Sequence, residues 1–285
     1  MRTLLLSVII LLASAQAHSQ GSIIRPLSQE PPYQREYRPH VGILGAFDQE
    51  IKYLLSIAVN KTEKEIQRVI FTEGEINGKK VVIAQTGIGK VNAAIVTILM
   101  IEHYMPRKLI FTGIAGGLNP GLGPGDIVIG SAVAYHDYGT LTTDSLIRRP
   151  TKNPFMNTDN PVFYKCDSSL VDTAIRASAE ARFEKVKTSG GERFPKIIKG
   201  IIVTGDVFVA SGKAVKELRR KLNADATEME GAAVAQTCLQ WKQPFVVVRS
   251  LSDNADDASI GDVRTFYKMA AQNSANLVVA MLNYF

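Results

Sequence analysis

The strongest constraint on this chain is an alternation of two hydrophobic periods. From Val41 onward, short apolar runs ending at glycine or a small polar residue take turns with stretches of helical spacing. Val41-Gly42-Ile43-Leu44-Gly45 precedes Asp48 to Val59, where Ile51, Leu54, Leu55 and Ala58 share a face. Lys79 to Gln85 reads as a strand, Gly87-Ile88-Gly89 as a turn, and Val91 to Tyr104 as a helix stopped by Pro106. The pattern continues with strands at Lys108 to Gly113, Gly125 to Ser131, Lys196 to Gly205 and Pro244 to Leu251. Helices are expected at Ser168 to Ala181, Ala214 to Leu222, Ala226 to Gln240 and Val263 to Leu282. Leu141 to Thr158 has no clear period and reads as a long surface loop. Such alternation predicts a single-domain α/β fold, a mixed, largely parallel twisted sheet with helices on both faces. Ligands in such sheets sit beyond the carboxyl ends of the strands. The segments to examine are therefore 45–50, 86–90, 113–117, 205–209 and 252–256.

The first 40 residues stand outside this rhythm. Met1-Arg2-Thr3 is followed by an apolar run, Leu4 to Ala13, and by the small residues of Ala15-Gln16-Ala17. This is the layout of a secretory signal peptide over residues 1–17, with cleavage near Ala17/His18; the alternative is a buried N-terminal helix or strand. Residues 18–40 are polar and rich in Pro, Gln, Arg and Tyr, and read as an extended leader before a domain at 41–285. The expected location is secreted or periplasmic. A stable membrane anchor is not expected, because no later segment has the roughly 18 unbroken apolar residues of a spanning helix.

An exported chain could pair its two cysteines, Cys166 and Cys238, but Cys238 lies in the apolar helical stretch Ala232 to Leu239 and reads as a core residue. No CxxC and no His/Cys cluster suggests zinc. The formal charge of +6 comes from Lys and Arg scattered along the chain, apart from a cluster at 216–221. That favours solvated helix faces over a nucleic-acid surface.

Four acidic residues at three places in the chain carry possible chemistry. Asp253 directly follows a buried strand; burial would raise its pKa and suit it to general acid work, although an N-cap role fits as well. Glu228 and Glu230 flank Met229 and, if both helical, would point about 200° apart, so at most one should face a pocket. Glu50 on the first turn of a helix reads most simply as an exposed charge favoured by the dipole. Gly113-Ile114-Ala115-Gly116-Gly117 marks a close backbone approach to a ligand, since no phosphate-loop or dinucleotide fingerprint is present.

Together these segments resemble the bacterial methylthioadenosine/S-adenosylhomocysteine nucleosidases of the purine nucleoside phosphorylase superfamily. The resemblance rests on an ordered set: Gly42 to Glu50, Thr86 to Val91, Thr112 to Gly117, Gly125 to Val128, Tyr135 to Asp137, Gly205 to Phe208, Glu228 to Ala232 and Val246 to Asp253. It covers nearly all of 41–285. It implies hydrolysis of the N-glycosidic bond of adenine nucleosides. Glu50 would activate the attacking water, and Asp253, helped by Ser252, would protonate N7 of the leaving adenine. Glu230 would accept the ribose hydroxyls and Met229 would pack under the ribose. Phe208 would stack on the base, Val209 would offer backbone hydrogen bonds, and Arg249 would support the network of water and carboxylates. Ile88, Gly116, Phe47 and Ile114 complete the expected substrate-binding set. The resemblance implies no metal or organic cofactor, a small-molecule nucleoside as ligand, and a homodimer with Tyr135 to Tyr138 near the contact.

Where this chain departs from the family pattern, Ile114 stands for a usual Ser or Thr and Phe47 for a common Met. The segment 139–200 is longer than usual. Two other readings compete. A phosphorylase would need Arg and Ser around phosphate, and Ala46 to Glu50 instead supplies a carboxylate. A non-catalytic nucleoside-binding or storage protein would have no need of Glu50, Glu230 and Asp253 together.

Overall fold

The structure, a computed structural model, describes residues 38–153, 157–188 and 191–285. The expected signal segment and the leader up to residue 37 lie outside the described residues. In chain order the first elements are β1 (Arg38–Gly45), α1 (Asp48–Ile57), β2 (Val59–Ile66), β3 (Val69–Ile76), β4 (Lys79–Gln85), α2 (Lys90–Tyr104), β5 (Pro106–Gly117) and β6 (Ile127–Tyr135). Short strands follow: β7 (Gly139–Leu141), β8 (Leu146–Arg148), β9 (Lys152–Asn153), β10 (Thr158–Asp159) and β11 (Tyr164–Lys165). Next come α3 (Ser168–Ser178), β12 (Val186–Thr188), β13 (Gly191–Arg193), β14 (Ile197–Thr204) and α4 (Gly212–Leu222). The chain ends with β15 (Ala226–Glu228), α5 (Gly231–Gln240), β16 (Phe245–Asp253) and α6 (Ser259–Leu282).

Ten strands form one mixed sheet in the order β11-β6-β14-β15-β5-β1-β4-β3-β2, with β16 paired to both β5 and β6. β4, β1, β5 and β16 run parallel, as do β6, β14 and β15. Antiparallel seams join the two parallel groups at β16/β6 and β15/β5. The sheet thereby closes on itself into a five-stranded barrel, β5-β16-β6-β14-β15. The core is centred on these strands: every residue of β16 is buried, as are Val41, Ile43 and Leu44 of β1. Strands covered on both faces read as continuous apolar runs, the pattern seen in the sequence.

The connections fix the layers. From β1, α1 leads by way of the β2–β3 pair to β4 on one side, and α2 then carries the chain back past β1 to β5. Right-handed crossovers in both directions put α1 and α2 on opposite faces. The packing agrees, because α1 and α3 rest on α6 while α2 rests on α5. The reversal around β1 is a topological switch point, where the carboxyl ends of neighbouring strands part and leave a crevice.

Several boundaries differ from the sequence expectation. Residues 38–40 belong to β1 rather than to the leader, with the Arg38 N–H donating to the Met105 carbonyl at 3.1 Å. Val59, expected in the first helix, opens β2. The β2–β3 hairpin was not legible because the first seven residues of β2 are exposed, leaving no alternation to read. Residues 141–158 include the short pairs β7–β8 and β9–β10 rather than only loop. Ala226 to Glu228 is strand, and helix begins only at Gly231. The last helix starts at Ser259, one turn before Val263. Cys166 and Cys238 are both buried and free. Among the described residues no helix is long and apolar enough to cross a membrane.

Candidate active site

A cavity of about 660 Å³ opens where the strand ends part. Its walls come from the residues after β1, from the carboxyl-terminal residues of β5, β15 and β16, from Met229 and Glu230 after β15, from Ile88 before α2, from Phe208 after β14, and from the first turns of α6. That is the size and placement of a small-molecule site in such a fold.

Glu50 is the third residue of α1 and only 2% exposed. The N-cap residue, Phe47, makes no side-chain capping hydrogen bond, and Glu50 at the third helical position reaches back to the N–H groups that precede the helix. Its Oε2 accepts from the N–H groups of Ala46 and Phe47, and its Oε1 accepts from the Ile114 N–H at 2.8 Å. The carboxylate thus ties the end of β1 to the end of β5. Gly113 is required there, because a Cβ would overlap the Glu50 carboxyl and lie 2.9 Å from Arg249 Nη1. Burial raises the Glu50 pKa on balance, against the opposing pull of Arg249 and the three N–H donors.

Arg249, on β16, is fully buried beneath the cavity and stacked 4.1 Å from the centroid of the Phe111 ring. Its Nη2 donates to Glu228 Oε2 at 2.7 Å and stands 3.9 Å from Glu230 Oε2. Burial alone would lower its pKa, but Glu228, Glu50 and Glu230 outweigh that and hold the guanidinium charged. Glu228 also accepts from the Gly231 N–H at 2.7 Å and from the Thr204 hydroxyl. It therefore serves as the anchor at the start of α5, and its acceptance of those N–H groups explains why the helix begins so late. Glu230 lines the cavity as well, and bonds toward α2. Its Oε1 accepts from the Gly89 N–H at 2.9 Å, in a turn where Gly89 has φ +99°, a value suited to glycine.

Three carboxylates around one guanidinium leave an excess of negative charge. Burial first, and the neighbouring Glu228 second, push Glu230 up to about 8. Glu230 thus binds its proton more tightly in the folded chain than in the unfolded one, so it weakens the fold as pH rises from about 4.5 toward 8. The midpoint of thermal unfolding should fall across that window. Glu230→Gln should flatten the fall, whereas an equally steep slope in the variant would remove Glu230 as its source.

Asp253 ends β16. A register shift between Leu251 and Asp253 places Ser252 as an extra residue opposite β5, so these two consecutive residues both line the cavity instead of pointing to opposite faces. Asp253 is 1% exposed. Its Oδ2 accepts from the Ser252 hydroxyl at 2.7 Å and its Oδ1 from the Ala255 N–H at 2.8 Å. Burial raises its pKa against the opposing pull of both hydrogen bonds. At Gly116 a Cβ would lie 3.0 Å from Asp253 Oδ1, so glycine keeps β5 clear of the acid.

Of the residues expected from sequence, Glu50, Asp253, Glu230, Met229, Phe208, Ser252, Ile88, Gly116, Phe47 and Ile114 all line this cavity. Val209 and Arg249 do not: the Val209 side chain packs in a small core around Leu118 and Ala255, and Arg249 lies below the floor. Glu50 is not the exposed first-turn charge that its helix position alone suggested. Sequence reasoning missed Thr227, Arg264 and Tyr267. Tyr267 lies four residues after Val263, a spacing that would have shown it once the start of α6 was known.

A family model described as the phosphorylase superfamily matches residues 40–283. The 5'-methylthioadenosine/S-adenosylhomocysteine nucleosidase of Shewanella frigidimarina is 39% identical over 243 residues, which is 85% of this chain and 98% of that protein. The solved nucleosidase of Colwellia psychrerythraea, in complex with adenine, is 35% identical with a TM-score of 0.74, covering 87% of this chain and 96% of its own. A futalosine hydrolase of Helicobacter pylori is 29% identical with a TM-score of 0.73, covering 86% and 98%. Matches of this length and identity place the chain in the phosphorylase superfamily and, within it, in the family of 5'-methylthioadenosine/S-adenosylhomocysteine nucleosidases.

Proposed function

We propose that this protein hydrolyses the N-glycosidic bond of adenine nucleosides, 5'-methylthioadenosine and S-adenosylhomocysteine among them, releasing adenine. One observation carries the reading: two buried carboxyls, Glu50 and Asp253, line one cavity with different partners. Asp253 has no cation among its hydrogen-bonded partners, and its raised pKa suits a group that holds a proton for a leaving base. Burial raises the Glu50 pKa as well, but unlike Asp253 it lies near the Arg249 guanidinium and accepts from three backbone N–H groups, all of which favour its anionic form. In the proposed step Asp253 gives its proton to N7 of adenine. The bond from C1' to N9 breaks with its electron pair going to the base. A water oxygen then bonds to C1', and the water's proton passes to Glu50. Glu230, whose Oε2 is not taken by Gly89, receives the ribose hydroxyls, while Phe208 and Met229 cover the base and sugar.

Water is favoured over phosphate as nucleophile by how the donors are used. The backbone N–H groups of Ala46 and Phe47, just before α1, could hold an anion, and Glu50 already accepts from both. The floor's guanidinium is committed to the glutamates. Adenine release that continues without phosphate supports hydrolysis; release that requires phosphate refutes it.

The second copy expected in a homodimer would cover Val91 and Ile95, one turn apart on α2 and 69% and 49% exposed, together with Ile88. Sedimentation should give twice the chain mass, and Val91→Glu with Ile95→Glu should give monomers; a monomeric parent protein contradicts this. Export with cleavage near Ala17/His18 is also proposed. N-terminal sequencing of the mature protein tests it, and an intact Met1 would refute it.

A further inference from the structure

The floor of the cavity is acidic and its rim is not. Glu50, Glu230 and Asp253 are buried at the strand ends, whereas Phe208 and Arg264 are exposed at the opening. Arg264 is the only cation lining the cavity among the described residues. It shares a face of α6 with Val263 and Tyr267, both also on the wall. It forms no ion pair or hydrogen bond with any described residue. Its own helix offers no partner: the neighbours three and four positions away are Ile260, Gly261, Tyr267 and Lys268, none of them acidic. Asp262, two residues earlier, lies on another face. An unpaired guanidinium beside apolar side chains is a poor feature for admitting a neutral tail, and a good one for holding a planar anion through two parallel N–H bonds.

We infer that Arg264 is a specificity residue, which selects adenine nucleosides whose 5' substituent ends in a carboxylate over those with a neutral tail. The inference rests on the nucleosidase reading for the pose. With N7 at Asp253 and the ribose hydroxyls at Glu230, the 5' substituent points from the floor toward the rim. The four carboxyls of the floor (Glu50, Glu228, Glu230 and Asp253) oppose an anionic tail, but Arg249 offsets part of that charge and Glu230 carries a proton near neutrality. Arg264 is the group placed to meet the tail itself. A lone arginine on an exposed turn of a helix is a weak cradle for inorganic phosphate, which is recognised by several donors at once.

The test uses two nucleosides that differ only at the tail, a 5'-carboxyalkylthioadenosine and its carboxamide. Their kcat/KM ratio is measured on the parent protein, Arg264→Gln and Arg264→Lys, with and without phosphate. Their Kd ratio is measured on Asp253→Asn, where turnover is suppressed, and on the double variant that combines Asp253→Asn with Arg264→Gln. The parent should prefer the carboxylate by about fivefold, between an exposed ion pair and a charged hydrogen bond. Arg264→Gln should bring both ratios to about one, Arg264→Lys should keep part of the preference, and added salt should reduce it. An equal preference in the parent and Arg264→Gln overturns the inference. So does a phosphate requirement that Arg264→Gln alone removes, which would move Arg264 to the nucleophile. If the Kd ratio behaves as expected but no adenine is released, the role of Arg264 stands and the hydrolase reading falls.

Discussion

Asp253→Asn is expected to lower kcat for adenine release by about 10²- to 10⁴-fold, the usual range for a lost general acid. Asparagine keeps the shape and can still accept from Ala255, so the fold should hold and the midpoint of thermal unfolding should move little. KM should change far less than kcat, because the proton is transferred only as the bond breaks. The variant should also lose the limb of the pH profile that reports the Asp253 carboxyl. A variant that retains more than about a tenth of the parent kcat would remove Asp253 from the chemistry, since even modest general acids contribute about 10²-fold.

Arg249→Met is expected to be the most damaging single change to stability. The guanidinium is fully buried and compensates Glu228, Glu230 and Glu50. Removing one partner of a buried ionic cluster typically costs about 3–5 kcal/mol, because uncompensated charge is left in a dry site. Methionine fills much of the volume, so the loss would be electrostatic rather than a cavity effect. Without the cation, the folded-state pKa values of Glu50 and Glu230 should rise further. The folded state then takes up protons that the unfolded state does not hold, and its stability recovers as pH falls. Urea unfolding at about pH 7.5 should show the full loss, and at about pH 5 a smaller one. An equal loss at both would make the role of Arg249 one of packing on Phe111.

The alternation of apolar runs was enough to place the strands that build the switch point, because a strand buried on both faces must be apolar throughout. The same logic fails for β2, which is charged and exposed along most of its length. It fails again at Ala226 to Glu230. Alanine and glutamate favour helix locally, but Glu228 is spent on Arg249 and on the N–H groups at the start of α5. That partner comes from β16, and no local pattern announces it. The expectation that at most one of Glu228 and Glu230 would face a pocket fails, because the two do not share a helix: Glu228 ends β15, Glu230 caps α5, and both line the cavity. Glu50 is the converse case. Its position three residues into a helix is visible in sequence, while its burial depends on Ile114 and Arg249, far along the chain. The extra residue at Ser252 that turns Asp253 inward is a matter of register, which composition does not record.

The most direct test of the central claim is the time course of free adenine from 5'-methylthioadenosine, with protein freed of phosphate and then with phosphate restored. Hydrolysis predicts the same rate in both, a free ribose product, and near-complete loss in Asp253→Asn. Adenine that appears only with phosphate, together with a ribose 1-phosphate, would contradict it. That outcome would mean that Glu50 does not guard the nucleophile site against anions.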